Sequence, residues 1–375
     1  MTQVVATEAR AVFFDACPKP SLKMFSSKKM QTNWEKKQAN PRLYHLLDII
    51  WVIIKLVLAV IFFIPLGIFW VLQKICQNIV LPAAGGVLFE SFCKASTSMQ
   101  ERYLNTLLSA HYLIPPQRVI LQCDDLKIDA LEIRFPNARP DRWMLFSSGN
   151  SDCTEHRIIL KRHQGSIECI AAQAQANILL FNYPGVMFSQ GKVTRENLVK
   201  AYRSCVRYLR DEPSGPHARE LIAYGYSLGA CVQAKALSYE VTNGSDGVRW
   251  LIVKDRAPQS LAKTARQWLG NFGFRITKCV GWEIDVTKHS RDLHCPELFI
   301  YGRDAEGALI GDGLFSKETC FAAPFLDPER EMLPGKKIPI AEENIAHHMM
   351  LSDLTIAHVV TIILNYFETS NNFET

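Results

Sequence analysis

Gly225-Tyr226-Ser227-Leu228-Gly229 reads G-x-S-x-G, between an apolar run ending at Tyr224 and a helix-like run beginning near Ala230. That context predicts a strained strand-to-helix turn that presents the Ser227 hydroxyl as a nucleophile. A free serine hydroxyl is inert at neutral pH. It becomes reactive when a base takes its proton and nearby donors hold the developing oxyanion. The base is expected after the last strand and before the last helix, where His347 and His348 stand in Ala-His-His-Met-Met-Leu. The acid that orients it is expected after a preceding strand. Asp304, following Glu-Leu-Phe-Ile-Tyr-Gly, fits that place. The backbone N–H of Leu228, at the start of a helix, is the first expected oxyanion donor. A second is expected from Asn150 or Ser151, in the loop after Trp143–Phe146. Asp285 and Asp312 read as surface or turn residues, His289 and His294 as loop residues, and His358 as part of the last helix. Tyr183 is expected to pack beneath the serine turn.

The elements that must carry these residues follow from pattern. Arg118–Cys123 and Leu126–Phe135 flank Asp124-Asp125 as a hairpin. Short apolar runs at Trp143–Phe146, Asn177–Phe181, Glu220–Tyr224, Val248–Val253, Glu297–Tyr301 and Lys336–Ile340 read as buried strands. Helical spacing between them covers 154–174, 195–210, 230–239 and residues up to about 269, and 351–367 closes the chain. Buried strands alternating with helices predict an α/β fold with a mostly parallel sheet covered on both faces.

Ahead of this domain, Ile49 to Leu72 is apolar apart from Lys55. A bilayer span takes about 20 such residues, so a transmembrane segment is expected. Trp51 and Trp70 stand near its ends, where indoles favour the lipid–water boundary. Pro65-Leu66-Gly67 also allows a hairpin. The expected organisation is a basic tail over 1–43, a transmembrane segment or hairpin over 44–89, a helical connector over 90–117, and an α/β domain over 118–375. Lysines and arginines concentrated in the tail place the N-terminus in the cytoplasm. A single span would put the domain across the membrane, and a hairpin would keep it on the cytoplasmic side. Residues 306–335 are long for a connection and are expected to form a lid or binding loop.

The net charge of +5 is modest, and no basic stripe with interleaved aromatics follows the tail, so nucleic acid is not an expected partner. Eleven cysteines are scattered without C-x-x-C or zinc-site spacing, and they read as small buried hydrophobes. No metal or cofactor is needed for the chemistry above.

Taken together, Leu145-Phe146-Ser147-Ser148-Gly149-Asn150-Ser151, Asn182-Tyr183-Pro184-Gly185, Ala223-Tyr224-Gly225-Tyr226-Ser227-Leu228-Gly229-Ala230 and Leu298-Phe299-Ile300-Tyr301-Gly302-Arg303-Asp304 resemble the α/β-hydrolase fold over residues 118–367. The chain order serine, acid, histidine is that fold's order. The chain resembles the acylglycerol-lipase-like serine hydrolases that carry an N-terminal membrane anchor. Its layout also resembles a family of chlamydial membrane proteins, which implies no activity. Two positions depart from the hydrolase pattern. Ser148 replaces the histidine of the usual His-Gly pair, and Ala305 stands where the acid usually falls, with Asp304 one residue early and Glu306 one late; the resemblance therefore leaves Glu306, and Asp255 at the end of an earlier strand, as alternative acids. The spacing to Leu351 fits His347 better than His348. The resemblance implies a membrane-anchored serine hydrolase of esterase, lipase or thioesterase type that cleaves an ester or thioester, and the anchor, by placing the site near a bilayer, points to a substrate of lipid origin. The alternative is an inactive hydrolase-like domain serving as a membrane-bound binding or scaffolding module.

Overall fold

The computed structural model describes residues 39–62, 64–84, 114–154, 164–326 and 335–369. The chain forms two compact units, Met1–Lys74 and Ile75–Thr375. Most of the expected basic tail and of the helical connector lies outside the described residues, as do parts of the 154–174 helix and of the 306–335 loop.

The apolar stretch is carried by two helices, α1 (Pro41–Phe62) and α2 (Ile64–Val80). Among the described residues, no helix is long and apolar enough to cross a membrane. Pro65-Leu66-Gly67, where the sequence allows a hairpin, lies inside α2. Pro65 is in the first turn of that helix, where its missing N–H would have had no partner and its fixed φ suits the helix. A short 3₁₀ turn, Pro82–Ala84, follows α2, with Leu81 and Ala83 buried.

Eight strands form one sheet in the order β1-β2-β4-β3-β5-β6-β7-β8. They are β1 (Gln117–Cys123), β2 (Leu126–Ile133), β3 (Arg142–Ser147), β4 (Asn177–Phe181), β5 (Glu220–Tyr226), β6 (Arg249–Asp255), β7 (Glu297–Arg303) and β8 (Lys337–Glu343). The hairpin at Asp124-Asp125 pairs β1 with β2 antiparallel, in the register Cys123↔Leu126. β2 pairs β4 antiparallel, and β4, β3, β5, β6, β7 and β8 are mutually parallel. Every residue of β3, β4 and β5 is buried. A strand covered on both faces needs no polar alternation, which is why these three read as plain apolar runs.

The connecting helices are α3 (Gln164–Gln173), α4 (Arg195–Arg210), α5 (Leu228–Leu237), α6 (Leu261–Cys279), α7 (Val286–Arg291) and α8 (Asp353–Thr369). β3 to β4 steps one way across the sheet and β4 to β5 steps back, so right-handed crossovers put α3 and α4 on opposite faces. α8 packs with α3, and α5 packs with α4 and α7. Capping explains the crisp start of α4: the Thr194 hydroxyl accepts from the Asn197 N–H at 3.2 Å, and Glu196 sits in the positive first turn. α6 runs ten residues past the expected end near Leu269. It kinks there, at Gly270, whose φ of 61° is outside helical space.

Candidate active site

On a parallel sheet the carboxyl ends of the strands converge on one edge, and loops there collect reactive groups. Ser227 follows β5, Asp255 ends β6 and Arg256 follows it, Asp312 lies in the loop after β7, and His347 lies after β8.

Ser227 has φ 54° and ψ −118°, a conformation that L-residues rarely adopt. The two flanking glycines make this turn possible. A Cβ on Gly229 would fall 2.0 Å from the Ser147 carbonyl oxygen, and one on Gly225 would fall 2.6 Å from the Ala230 Cα. The turn is also bolted from below. The Gln233 amide donates to the carbonyls of Ala223 (2.6 Å) and Val253 (3.2 Å), and the Ser227 N–H donates to the Asp255 carbonyl at 3.0 Å.

His347 Nε2 is 2.9 Å from the Ser227 Oγ, and His347 Nδ1 is 2.6 Å from the Asp312 Oδ2. The other Asp312 oxygen accepts from the N–H groups of Leu314 (3.0 Å) and Phe315 (2.8 Å). Burial pushes the Asp312 carboxyl up, but the His347 hydrogen bond, the His347 charge and these two N–H groups hold it below the usual carboxylate range. An ionised carboxylate only accepts, so Nδ1 carries the proton and Nε2 faces the serine as an acceptor. The ring is held on two sides. Tyr226 stacks on it with centroids 5.3 Å apart, and Phe315 meets it edge-on at 5.0 Å. Its backbone is tied as well: the His347 N–H donates to the Asp312 carbonyl at 2.7 Å, and the Tyr226 hydroxyl donates to the His347 carbonyl at 2.5 Å.

The structure thus brings Ser227 and His347 together, while His348 is exposed beside them. It does not bring Asp304, Glu306 or Asp255 to the histidine. Asp304 turns its carboxylate to the Ala308 N–H at 2.7 Å, in a turn closed by Gly307 N–H to Asp304 carbonyl at 3.1 Å. Glu306 is exposed in that same turn. Asp255 is buried and accepts from the Tyr224 hydroxyl (3.0 Å) and the Arg256 guanidinium. The carboxylate on His347 is that of Asp312, which the sequence pattern marks only as a turn residue. Its one sequence signal is Asp312-Gly313, a side chain able to accept from backbone two and three residues on.

Leu228 opens α5, so its N–H is among the helix's unpaired first donors. The loop after β3 abuts the serine: a Cβ on Gly149 would lie 3.1 Å from the Tyr226 ring and 3.7 Å from the Ser227 Cβ. Asn150 and Ser151 follow directly, the first half-buried and the second exposed. The Ser148 carbonyl accepts from the Tyr183 hydroxyl at 3.3 Å, and Tyr183 is buried near the serine turn as its sequence position suggests. The Ala83 N–H donates to the Asn150 carbonyl at 3.4 Å, so the segment leaving α2 rests on this loop.

The chain belongs to the Chlamydia CHLPS protein family (DUF818), whose family model matches residues 11–368. No curated protein matches it. Among solved structures, it is similar to an α/β-hydrolase from Vibrio vulnificus, at 16% identity over 78% of this chain and 93% of that one, with a TM-score of 0.51. It is also similar to an esterase from Pyrococcus furiosus, at 16% identity over 68% of this chain and 90% of that one, with a TM-score of 0.48. At 16% identity the likeness to the Vibrio vulnificus structure shows the α/β-hydrolase fold alone, and the site's chemistry has to be argued from its own residues.

Proposed function

We propose that this protein is a membrane-associated serine hydrolase that cleaves an ester or thioester through an acyl-enzyme. The observation that carries the reading is the continuous relay from Ser227 Oγ through His347 to Asp312, at 2.9 and 2.6 Å. In the first half-reaction, His347 Nε2 takes the Ser227 proton as Oγ attacks the carbonyl carbon. The oxyanion forms against the Leu228 N–H and a donor from the 149–151 loop. Collapse expels the alcohol or thiol, which takes the proton from His347. Water then attacks the acyl-enzyme with His347 as base, releasing the acid and restoring Ser227. Asp312 stays ionised throughout and stabilises the imidazolium.

The inactive-module alternative drew its support from the lack of an acid where the fold's pattern places one. Asp312 removes that argument, because its carboxylate reaches His347 from a longer loop.

Membrane association is supported by α1 and α2. Their apolar side chains are exposed on many positions, including Trp51 at 56%, Ile61 at 64% and Leu66 at 62%. Apolar surface of this kind gains free energy by leaving water for acyl chains. A lipid acyl ester is the substrate class that such an attachment would bring to Ser227.

The test is labelling of detergent-solubilised protein with a fluorophosphonate. Wild type should label and Ser227→Ala should not. Folded wild type that stays unlabelled sinks the enzyme reading. For the membrane, the full chain should co-sediment with phospholipid vesicles. Recovery wholly in the supernatant would refute attachment through α1 and α2.

A further inference from the structure

Arg256 lies beside the Ser227–His347–Asp312 set and has no part in the proposed proton transfers. It is 5% exposed, and its φ of 47° puts it in the left-handed region directly after β6. That backbone turns the side chain back along its own neighbour. Nε donates to Asp255 Oδ1 at 2.7 Å and Nη2 to Asp255 Oδ2 at 3.0 Å. The remaining nitrogen, Nη1, donates to two carbonyls, Ala346 at 3.2 Å and Met349 at 2.5 Å.

Those carbonyls belong to one turn, closed by the Met349 N–H to the Ala346 carbonyl at 3.0 Å. His347 lies within it. Ile345 and Leu351 on either side are buried and the His347 ring is packed, but Met349 and Met350 are exposed at 49% and 53%, so the backbone of the turn after His347 leans on its hydrogen bonds. The guanidinium carbon also lies 4.9 Å from the centroid of the Tyr226 ring, which itself stacks on the imidazole. At its other end, the Asp255 carboxylate is fixed by the Tyr224 hydroxyl, and the Asp255 carbonyl receives the Ser227 N–H. The Asp255–Arg256 pair therefore ties the backbone of the serine turn to the backbone of the histidine turn.

We propose that Arg256, oriented by Asp255, is a positioning residue that sets the His347 imidazole against Ser227. The inference rests on the hydrolase reading above. Arginine is required because its rigid fork satisfies Asp255 with one edge while its remaining nitrogen spans two carbonyls. A lysine keeps the charge but, as a point donor on a flexible stem, cannot do both. A displacement of about 1 Å at a reacting group costs about 100-fold in rate.

The test is Arg256→Lys in the full chain, read as the fluorophosphonate labelling rate and as kcat and KM on a p-nitrophenyl acyl ester. Labelling and kcat should fall about 100-fold with KM little changed and the thermal midpoint retained. Labelling at the wild-type rate would show that Arg256 only neutralises Asp255, and would overturn the proposal. If Arg256→Lys does not fold, the pair Asp255→Asn with Arg256→Met removes the clasp without leaving a buried charge alone, and the same slow labelling is expected. A second readout needs no activity: the strongly downfield NMR resonance of the proton between His347 Nδ1 and Asp312. It should be present in wild type and lost in Arg256→Lys. If wild type does not label, the hydrolase reading fails while this resonance still decides the positioning role. Its persistence in the variant, or its absence from wild type, overturns that role.

Discussion

Replacing Asp312 by asparagine should nearly abolish turnover while leaving the fold in place. The geometry dictates how. The Asp312 Oδ1 accepts two backbone N–H groups, from Leu314 and Phe315. In Asp312→Asn those donors capture the amide oxygen, because an NH₂ group facing them would leave both N–H groups without an acceptor. The amide nitrogen is then turned toward His347 Nδ1. It can only donate there, so Nδ1 loses its proton and Nε2 gains one. A protonated Nε2 cannot take the Ser227 proton. In serine–histidine–aspartate sites this wrong-tautomer substitution costs about 10⁴-fold in kcat. At 1.36 kcal/mol per tenfold, that is about 5 kcal/mol of barrier. The assay is kcat on a p-nitrophenyl ester together with the fluorophosphonate labelling rate. Asp304→Asn, run beside it, should change neither by more than about twofold, since Asp304 only closes a local turn. Normal labelling in Asp312→Asn, or a large loss in Asp304→Asn, would refute the assignment of the relay.

Gly229→Ala should destabilise the domain by about 3 kcal/mol, because the new methyl must displace the Ser147 carbonyl at the start of the catalytic loop; thermal denaturation reads the loss. Lys254→Met should cost about 3 kcal/mol in urea denaturation. Lys254 and Glu297 form a fully buried ion pair completed by Lys337 and Ser290, and the variant leaves a buried carboxylate short of a partner. Stability should also carry an acid limb from Asp312. Its folded-state pKa is depressed, so its contribution is present above the unfolded value near 4 and lost as pH falls through the folded one. The gap in thermal midpoint between wild type and Asp312→Asn should therefore close as pH drops below about 4, and a gap that widens there would contradict the sign.

The contrast between Ser227 and Asp312 shows what a sequence displays and what it hides. Ser227 is legible because its turn constrains its neighbours: a Cβ at 225 or 229 collides with backbone, so the glycines are written into the chain. His347 is legible to within one residue because β8 and α8 bracket it closely. The buried strands are equally plain, and Asn177–Phe181 stands at its expected bounds, since residues covered on both faces must be apolar. The acid obeys no such local rule. A carboxylate needs only to arrive at Nδ1, and any loop long enough can bring it. After β7 the chain makes an extra excursion. Arg303 bridges Leu309 and the Ile310 N–H returns to the Gly302 carbonyl, so the segment doubles back on the strand end before reaching Asp312. Asp304, close in sequence to the strand end, is used up in closing that excursion.

Arg256 is hidden for a related reason, and it shows what the fold adds to the motif. Asp255-Arg256 reads as an unremarkable pair of charges after a strand. Only the left-handed backbone at 256 folds the guanidinium back onto its neighbour and frees one nitrogen for a turn ninety residues downstream in the chain. Buried charge of this kind is costly unless every lone pair and proton finds a partner. Burial disfavours the Arg256 charge, yet the adjacent Asp255 carboxylate holds the guanidinium above its ordinary range. A purely structural neutralising pair would be satisfied by Asp255 alone, and an apolar pair would fill the same space at less risk. Retaining the charges makes physical sense when the leftover donor has work to do at the histidine turn, where the exposed methionines give little support of their own.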